Sequence, residues 1–414
     1  MKTQLTDENY CCEVIRIDSL LDIEGFNNLK GVSLYGFLAL VPKTTQIGDT
    51  CLLFTAESCL SEAYCFENNL FRTASKNKDT EKKGYIEDSR RIKAIKMKGV
   101  ISSALIMPLS SLPGSEDLKL GTRFNKVDGE ELVKKYELDV RTPGGRTGAA
   151  NASKKDKIPS RFFPKHFDTA QYAKNKSLLE SVGGPYYVTQ KLHGTSARFA
   201  NVACPIEINR WQKFKKWLGF DVKDSEFITV CGSRNRDLRP ADTHSFHSDE
   251  SGNVWEHCRK KLIGKIPKNY VIFGEIVGYW GDKEIQKGYS YGYPKGQCEL
   301  YVYRVAQINP DGVMVDLGWT QVKAFCDFHQ IKYVPELTVL TYFEVLDIFL
   351  NSIQDCKLKD TAPQCLPVDS VDEGVCVRSD NKLTPVVLKS KFPKFLLYET
   401  GQLDKGVVDM ESIS

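Results

Sequence analysis

The sequence has no apolar run long enough to cross a bilayer. Its opening residues 1–10 are polar and contain no apolar signal core. Both absences argue against a membrane partner and predict a soluble protein. Close-spaced cysteine pairs are also missing: the 13 cysteines are scattered, and no C-x-x-C occurs. Adjacent Cys11 and Cys12 have no matching partner cluster, so no structural zinc is expected. A chain of 414 residues can bury a normal core and needs no disulfide framework. The odd number of thiols therefore reads as reduced and mostly buried, in an intracellular compartment. Internal repeats are absent. Excess charge is small: the net charge is +4 and the pI about 8.3. That balance neither establishes nor opposes nucleic-acid binding, which would need a local basic groove. What remains is ordinary globular composition, 41% hydrophobic and 27% charged, at a length that suits two or three domains.

Runs rich in β-branched and large apolar residues predict strands at 13–23, 34–42 and 49–56. Residues 90–100 alternate basic and apolar side chains, which predicts a half-buried strand with Arg91, Lys93, Lys96 and Lys98 near a solvated face. A wet sheet face is the plainer reading of these cations, ahead of a nucleic-acid surface. Residues 101–109 follow as another strand, and this density of short strands favours a small β-barrel or sandwich. Residues 141–160 are rich in Gly, Ala, Ser, Pro and Lys and read as a linker. The expected division is a β-rich module over 1–125, a connection over 126–160 and a larger domain over 161–414.

In that larger domain, helical spacing at 168–182 ends at Gly183-Gly184-Pro185. Residues 210–220 read as an amphipathic helix ending at Gly219, with lysines on a solvated face. Strands are expected at 186–190, 227–233, 270–280, 299–308, 374–379 and 384–391, and a helix at 340–353. Strands and helices without regular βαβ alternation predict an α+β domain.

The chemistry concentrates at Lys191-Leu192-His193-Gly194-Thr195-Ser196, directly after the strand at 186–190. A lysine amine is nucleophilic only when neutral, and burial or nearby cations can make it so. Gly194 would let backbone approach a phosphate or ribose closely. Taken alone, K-x-H-G is a weak pattern, and a surface turn is its plainer reading. Glu275 lies inside an apolar run and Glu373 just before another. A carboxylate there faces a desolvation cost unless it is paired or metal-bound, the plain alternative being a strand end in water. Lys389 and Lys391 share one face of a strand. Two ammonium groups so placed invite a phosphate between them, or else protect an edge strand.

These four motifs in this order resemble the covalent nucleotidyltransferase superfamily, which contains polynucleotide ligases and mRNA capping enzymes. The resemblance covers about residues 161–400. His193, where DNA ligases and capping enzymes usually carry aspartate, resembles the RNA ligase branch. A β-rich segment before the catalytic domain, with only 23 residues after Lys391, resembles the Naegleria/Deinococcus type of ATP-dependent RNA ligase. The implied fold is an α+β nucleotidyltransferase (ATP-grasp-like) domain of antiparallel sheets with flanking helices. A small OB-like β-barrel precedes it.

The resemblance implies ATP as cosubstrate, Mg2+ or Mn2+, and RNA ends or nicked duplex RNA as partner. It implies Lys191 as the nucleophile that holds AMP, with Lys389, Lys391, Glu275 and Glu373 as catalytic partners. Glu275 and Glu373 would hold the metal. Nucleotide contacts fall to Gln190, Leu192, His193, Gly194, Arg234, Glu275, Tyr303, Lys389 and Lys391. Tyr303 matches the aromatic that stacks on adenine, and Tyr301 on the same strand is its alternate. The rival expectations are a DNA ligase or capping guanylyltransferase, and a catalytically inactive RNA-binding protein on a ligase scaffold.

Overall fold

The computed structural model describes residues 1–34, 37–137, 162–166, 168–206, 208–234, 236–238, 248–249, 252–309, 311–353 and 371–407. The expected linker at 141–160 lies outside the described residues.

The first part of the chain builds a six-stranded sheet. Its spatial order is Arg123–Phe124, Cys12–Arg16, Thr50–Thr55, Ala104–Pro108, Phe37–Pro42 and Leu29–Leu34. Neighbours are antiparallel except Phe37–Pro42 beside Ala104–Pro108. Alternation along the strands sends Val14, Leu52, Phe54, Leu105 and Met107 into one apolar cluster. Ile15, Cys51, Leu53 and Ile106 point into another. Among the described residues the sheet does not close into a barrel.

The strand expected at 90–100 does not form. Only Ile95–Met97 is extended there, and it pairs with Val100–Ser102 as a hairpin. Lys98 (φ +47°) and Gly99 (φ +89°) supply the two left-handed positions of its turn. The cations divide accordingly. Lys96 and Lys98 are exposed, but Arg91 is buried. Arg91 Nη2 donates to Asp404 Oδ1 at 2.6 Å and to the Thr400 carbonyl at 3.1 Å. Lys93 Nζ lies 2.8 Å from the same Asp404 oxygen. These two cations therefore dock the β-rich part onto the helix Pro393–Asp404 rather than facing water. Phe37, Ala56, Ala94, Leu396 and Leu397 close the same contact with apolar surface.

The rest of the chain carries two larger sheets. One has the order Ala170–Gln171, Val386–Lys391, Gly374–Ser379, Tyr186–Lys191 and Glu336–Leu340. The other runs Asp237–Leu238, Ser225–Gly232, Thr195–Pro205, Tyr270–Trp280, Cys298–Ile308 and Met314–Asp316, with Lys283–Glu284 beside Tyr270–Trp280. Val188, Val375, Val377 and Leu388 of the first sheet share one core with Ala197, Ile272, Ile276 and Val302 of the second. Only Leu192, His193 and Gly194 separate a strand of one sheet from a strand of the other. Seven α-helices flank the sheets among the described residues, so the architecture is the expected mixed α+β with mainly antiparallel pairing.

The helix expected over 168–182 is Tyr172–Val182, stopped by Gly183 at φ +79°. The one expected over 340–353 is Phe343–Ile353, because Leu340 completes the strand Glu336–Leu340. Arg210–Trp217 is helical with a reciprocal cap between Asn209 and Gln212, yet none of its residues is buried. Its apolar face does not pack on the core, contrary to the usual fate of an amphipathic helix. Among the described residues no helix is long and apolar enough to cross a membrane.

Arg91→Ala leaves the Thr400 carbonyl without its buried donor, and should cost about 1–3 kcal/mol. Urea denaturation compared with wild type measures it. An unchanged midpoint would mean that the docking contact adds nothing to stability.

Candidate active site

Strand register assembles the site. Lys191 pairs with Gly374, and Gly374 pairs in turn with Lys391. Two residues along, Thr189, Cys376 and Lys389 form a parallel row. Residues two apart point to one face, so both lysines of 389 and 391 share the face of Lys191. Gly374 sits at the centre with φ +151°, and a Cβ there would lie 2.0 Å from the Ser390 carbonyl oxygen. Only glycine permits this close approach.

Glu373, one residue before that glycine, is 2% exposed. Its Oε1 lies 2.7 Å from Lys191 Nζ and 3.9 Å from Lys391 Nζ. Its Oε2 lies 3.7 Å from His193 Nδ1. Burial pushes the Glu373 carboxyl up, but Lys191, His193 and Lys391 outweigh burial and hold its pKa at about 2. Lys391 has two further anionic neighbours, Glu57 Oε1 at 2.7 Å and Glu399 Oε1 at 3.2 Å. Burial lowers its pKa, but Glu399, Glu57 and Glu373 together raise it well above the usual ammonium value. Glu57 comes from the β-rich part, which thereby enters the site.

The link between the two sheets is equally constrained. Leu192 is a core residue. The His193 backbone N–H donates to Tyr291 Oη at 2.8 Å, and the imidazole packs edge-on against Tyr289 and Phe395. Gly194 donates its N–H to Glu275 Oε1 at 3.1 Å. A Cβ at Gly194 would lie 2.3 Å from the Ile276 carbonyl oxygen, so the link needs glycine to pass over the Glu275 strand. Thr195 and Ser196 are buried, and Ser196 pairs in register with Glu275.

These elements enclose a cavity of about 430 Å3. Gln190, Lys191, Leu192, Arg234, Glu275, Tyr303, Lys389 and Lys391 line it. His193, Gly194 and Glu373 stand behind that wall, touching Lys191 or Glu275 through the contacts above. The eleven residues singled out from sequence thus gather in one place. Gln190 donates from Nε2 to Asp372 Oδ1 at 3.0 Å, while its Oε1 is buried with no hydrogen-bond partner. Arg234 pairs with Asp168. Tyr303, rather than Tyr301, is on the wall. Gly274 pairs with Val302 and Phe273 with Arg304, so Tyr303 is the extra residue of a β-bulge. Tyr301 turns away and shares a 2.8 Å hydrogen bond with the Tyr293 hydroxyl. Arg304, whose place in the pattern was open, grips Asp316 with two nitrogens at 2.5 and 2.9 Å.

Sequence reasoning missed Glu57, Glu399, His166 and Asp168. His166 lies on the cavity wall, edge-on to Tyr303 at 5.9 Å. Glu57 had one available signal, a lone carboxylate beside the apolar run 51–56. Among the described residues, no three His, Cys, Asp or Glu side chains gather as a ready metal-ligand group.

A lysine and its buried carboxylate on one sheet thus meet a second carboxylate on the adjoining sheet at one cavity, and the comparisons with known proteins point to an RNA ligase. The family profile described as RNA ligase matches residues 184–391, half of the chain, and the chain belongs to that family. Three solved forms of the Naegleria gruberi RNA ligase share the fold. A lysine-to-alanine variant with ATP and Mn has TM-score 0.59 and 17% identity, over 95% of this chain and 99% of that one. A glutamate-to-alanine variant with ATP and Mn has TM-score 0.60 and 17% identity, over 93% and 98%. A lysine-to-methionine variant with AMP and Mn has TM-score 0.59 and 16% identity, over 93% and 97%. No curated protein sequence matches the chain.

The depressed Glu373 pKa has a sign that can be checked. Its carboxylate stabilises the fold above the ordinary Glu pKa of about 4.3, and that contribution is lost as pH falls towards 2. Between pH 5 and 2, wild type should lose roughly 3 kcal/mol more than Glu373→Gln in chemical denaturation. Equal losses would show that the buried ion pair does not form.

Proposed function

We propose that this chain is an ATP-dependent RNA ligase that joins 3′-OH and 5′-phosphate ends through a lysyl-AMP on Lys191 and an adenylylated RNA. One observation carries the reading: Lys191 reaches a 430 Å3 cavity with a buried carboxylate on its ammonium and two further lysines on its face. ATP is the cosubstrate and Mg2+ or Mn2+ the metal, in keeping with the ATP and Mn of the Naegleria gruberi structures.

In the first step the Lys191 amine attacks the α-phosphorus of ATP. A P–N bond forms, the P–O bond to the β-phosphate breaks, and pyrophosphate leaves. The attacking amine must first lose a proton. Glu373 is a poor acceptor at neutral pH, since its pKa is held at about 2. Its role is to aim Lys191. The positive potential of Lys389 and Lys391 lowers the cost of deprotonation and then stabilises charge on the departing phosphates. In the second step an RNA 5′-phosphate oxygen attacks the same phosphorus and releases Lys191. In the third step a 3′-OH attacks the activated 5′-phosphate, and AMP leaves.

The donor set fits a divalent cation. Glu275 faces the cavity, and Glu373 Oε2 is buried without a hydrogen bond. Mg2+ is commonly held by one or two carboxylates together with substrate phosphates. Glu275 and Glu373 would hold it, and it would neutralise phosphate charge. Tyr303 offers its ring to adenine, and the unpaired Gln190 Oε1 offers an acceptor for the adenine amine. Leu192 lines the floor with His193 and Gly194 behind it, and Arg234 addresses the ribose or the RNA 5′-phosphate.

The β-rich part, expected over 1–125, acts as an OB-like RNA-contacting module ahead of the adenylyltransferase domain at 161–414. Supporting this, the likeness to the Naegleria gruberi enzyme extends over 95% of the chain.

Incubation with α-labelled ATP and Mg2+ should label the protein through an acid-labile, base-stable bond, and Lys191→Ala should abolish the label. Label persisting in that variant would remove Lys191 as the nucleophile. Label from GTP in place of ATP would indicate a capping enzyme, and sealing of DNA 3′-OH ends alone a DNA ligase. RNA binding with no adduct would indicate an inactive scaffold. Alanine at Glu275 or Lys389 should each lower adduct formation by roughly 100-fold or more, and less than additively in combination.

A further inference from the structure

The strands Thr195–Pro205 and Ser225–Gly232 form a long antiparallel pair that begins beside Glu275 and ends at Pro205 opposite Ser225. That far end lies roughly 33 Å from Thr195, at the usual rise per strand residue. Beyond it stands the helix Arg210–Trp217, which buries none of its residues. Trp211 is 63% exposed, Trp217 78% and Phe220 62%. Leaving this much aromatic surface in water is costly unless something covers it.

Two further features say what covers it. The rings form a ladder: Trp211 stacks on Phe214 at 5.6 Å and Phe214 on Trp217 at 5.8 Å, with interplanar angles of 25° and 29°. Arg210, Lys213, Lys215 and Lys216 surround the ladder, and residues 208–220 contain no acidic side chain. Lys215 lies over the Trp211 ring at 5.9 Å. Lys268, in the turn before the strand Tyr270–Trp280, lies over the half-exposed ring of Phe227 on the strand Ser225–Gly232 at 5.0 Å. Among the described residues, only Lys216 of this helix has an acidic partner, Asp224. Flat faces interleaved with cations are complementary to a strand that offers bases and phosphates in alternation. Membrane-surface helices share the composition, but many run to 20–30 residues, whereas this one has eight.

We infer that the aromatic-basic helix Arg210–Trp217 is a second RNA contact, holding a single-stranded stretch of the substrate at the end of the sheet remote from Lys191. This rests on the RNA ligase reading and deepens it: the substrate must extend on the order of ten nucleotide steps from the junction to reach the helix. Bases stack on Trp211 and Trp217, while Lys213 and Lys215 meet the phosphates.

The test uses the full chain and a fluorescein-labelled single-stranded RNA of about 25 nucleotides in anisotropy titrations. Trp211→Ala with Trp217→Ala should weaken binding by at least about 10-fold. Lys213→Gln, Lys215→Gln and Lys216→Gln together should reduce the slope of log affinity against log salt by about 1.4, the share of the two lysines that meet phosphates. All five positions are exposed, and retention of ATP-dependent adduct by each variant checks the fold. Sealing should lose apparent affinity on substrates with long arms and stay unchanged on those with arms under about six nucleotides. Unchanged RNA affinity in both variants overturns the inference, as does equal loss on short and long arms. Loss of binding to anionic phospholipid vesicles with RNA affinity intact would assign the face to a membrane, and overturns it too. Failure of the wild-type chain to form any adduct overturns the ligase reading instead.

Discussion

The buried carboxylate of Glu373 holds the site together. Two ammonium groups, Lys191 and Lys391, approach it from neighbouring strands at 2.7 and 3.9 Å. Removing a charge of either sign would leave the others desolvated and unbalanced, which is far costlier than losing a surface pair. Gly374 makes the arrangement possible, since no side chain fits where the strand presses on Ser390. The same register that brings Lys191 opposite Gly374 places Lys389 on the cavity wall.

This charge cluster also binds the two halves of the molecule. Lys391 reaches Glu57, a residue 334 positions earlier in the chain. Glu57 sits in a left-handed turn (φ +67°), and its side chain is half-buried. Burial pushes the Glu57 carboxyl up, and Lys391 more than offsets it, leaving its pKa below the usual value. The docking contacts of Arg91 and Lys93 on Asp404 lie on the same helix as Glu399. The β-rich part is thus coupled to Lys391 directly through Glu57 and through the helix Pro393–Asp404. A change in how it sits on that helix would be felt electrostatically at Lys391.

At the opposite end of the second sheet, the helix Arg210–Trp217 shows the converse principle. Its capping box, its stacked rings and the Lys216–Asp224 pair are local contacts, with no buried side chain to help. It carries a row of aromatic rings in solvent without core packing, the surface to which the second RNA contact is assigned above.

Much of this was legible locally. The strand 270–280 appears where apolar periodicity places it, as do the strand 374–379 and the core of the helix 340–353, because each is decided by side chains within a few residues. The order of Lys191, Glu275, Glu373 and Lys389/Lys391 likewise pointed to one kind of chemistry. Other readings failed where local pattern met a distant partner. Alternation at 90–100 looked like a strand, but two left-handed residues fold it into a hairpin and Arg91 is claimed by Asp404. Tyr301 stood as the alternate to Tyr303 until a bulge turned Tyr303 to the cavity and Tyr301 to Tyr293. Sequence alone singled out residues that the fold then gathers around one cavity, since residue type and spacing are local facts. Tertiary structure alone decided that Glu57 joins Lys391, that Gly374 sits between two lysines, and that an amphipathic helix has no core to cover. Those outcomes depend on strand register and docking between segments far apart in the chain.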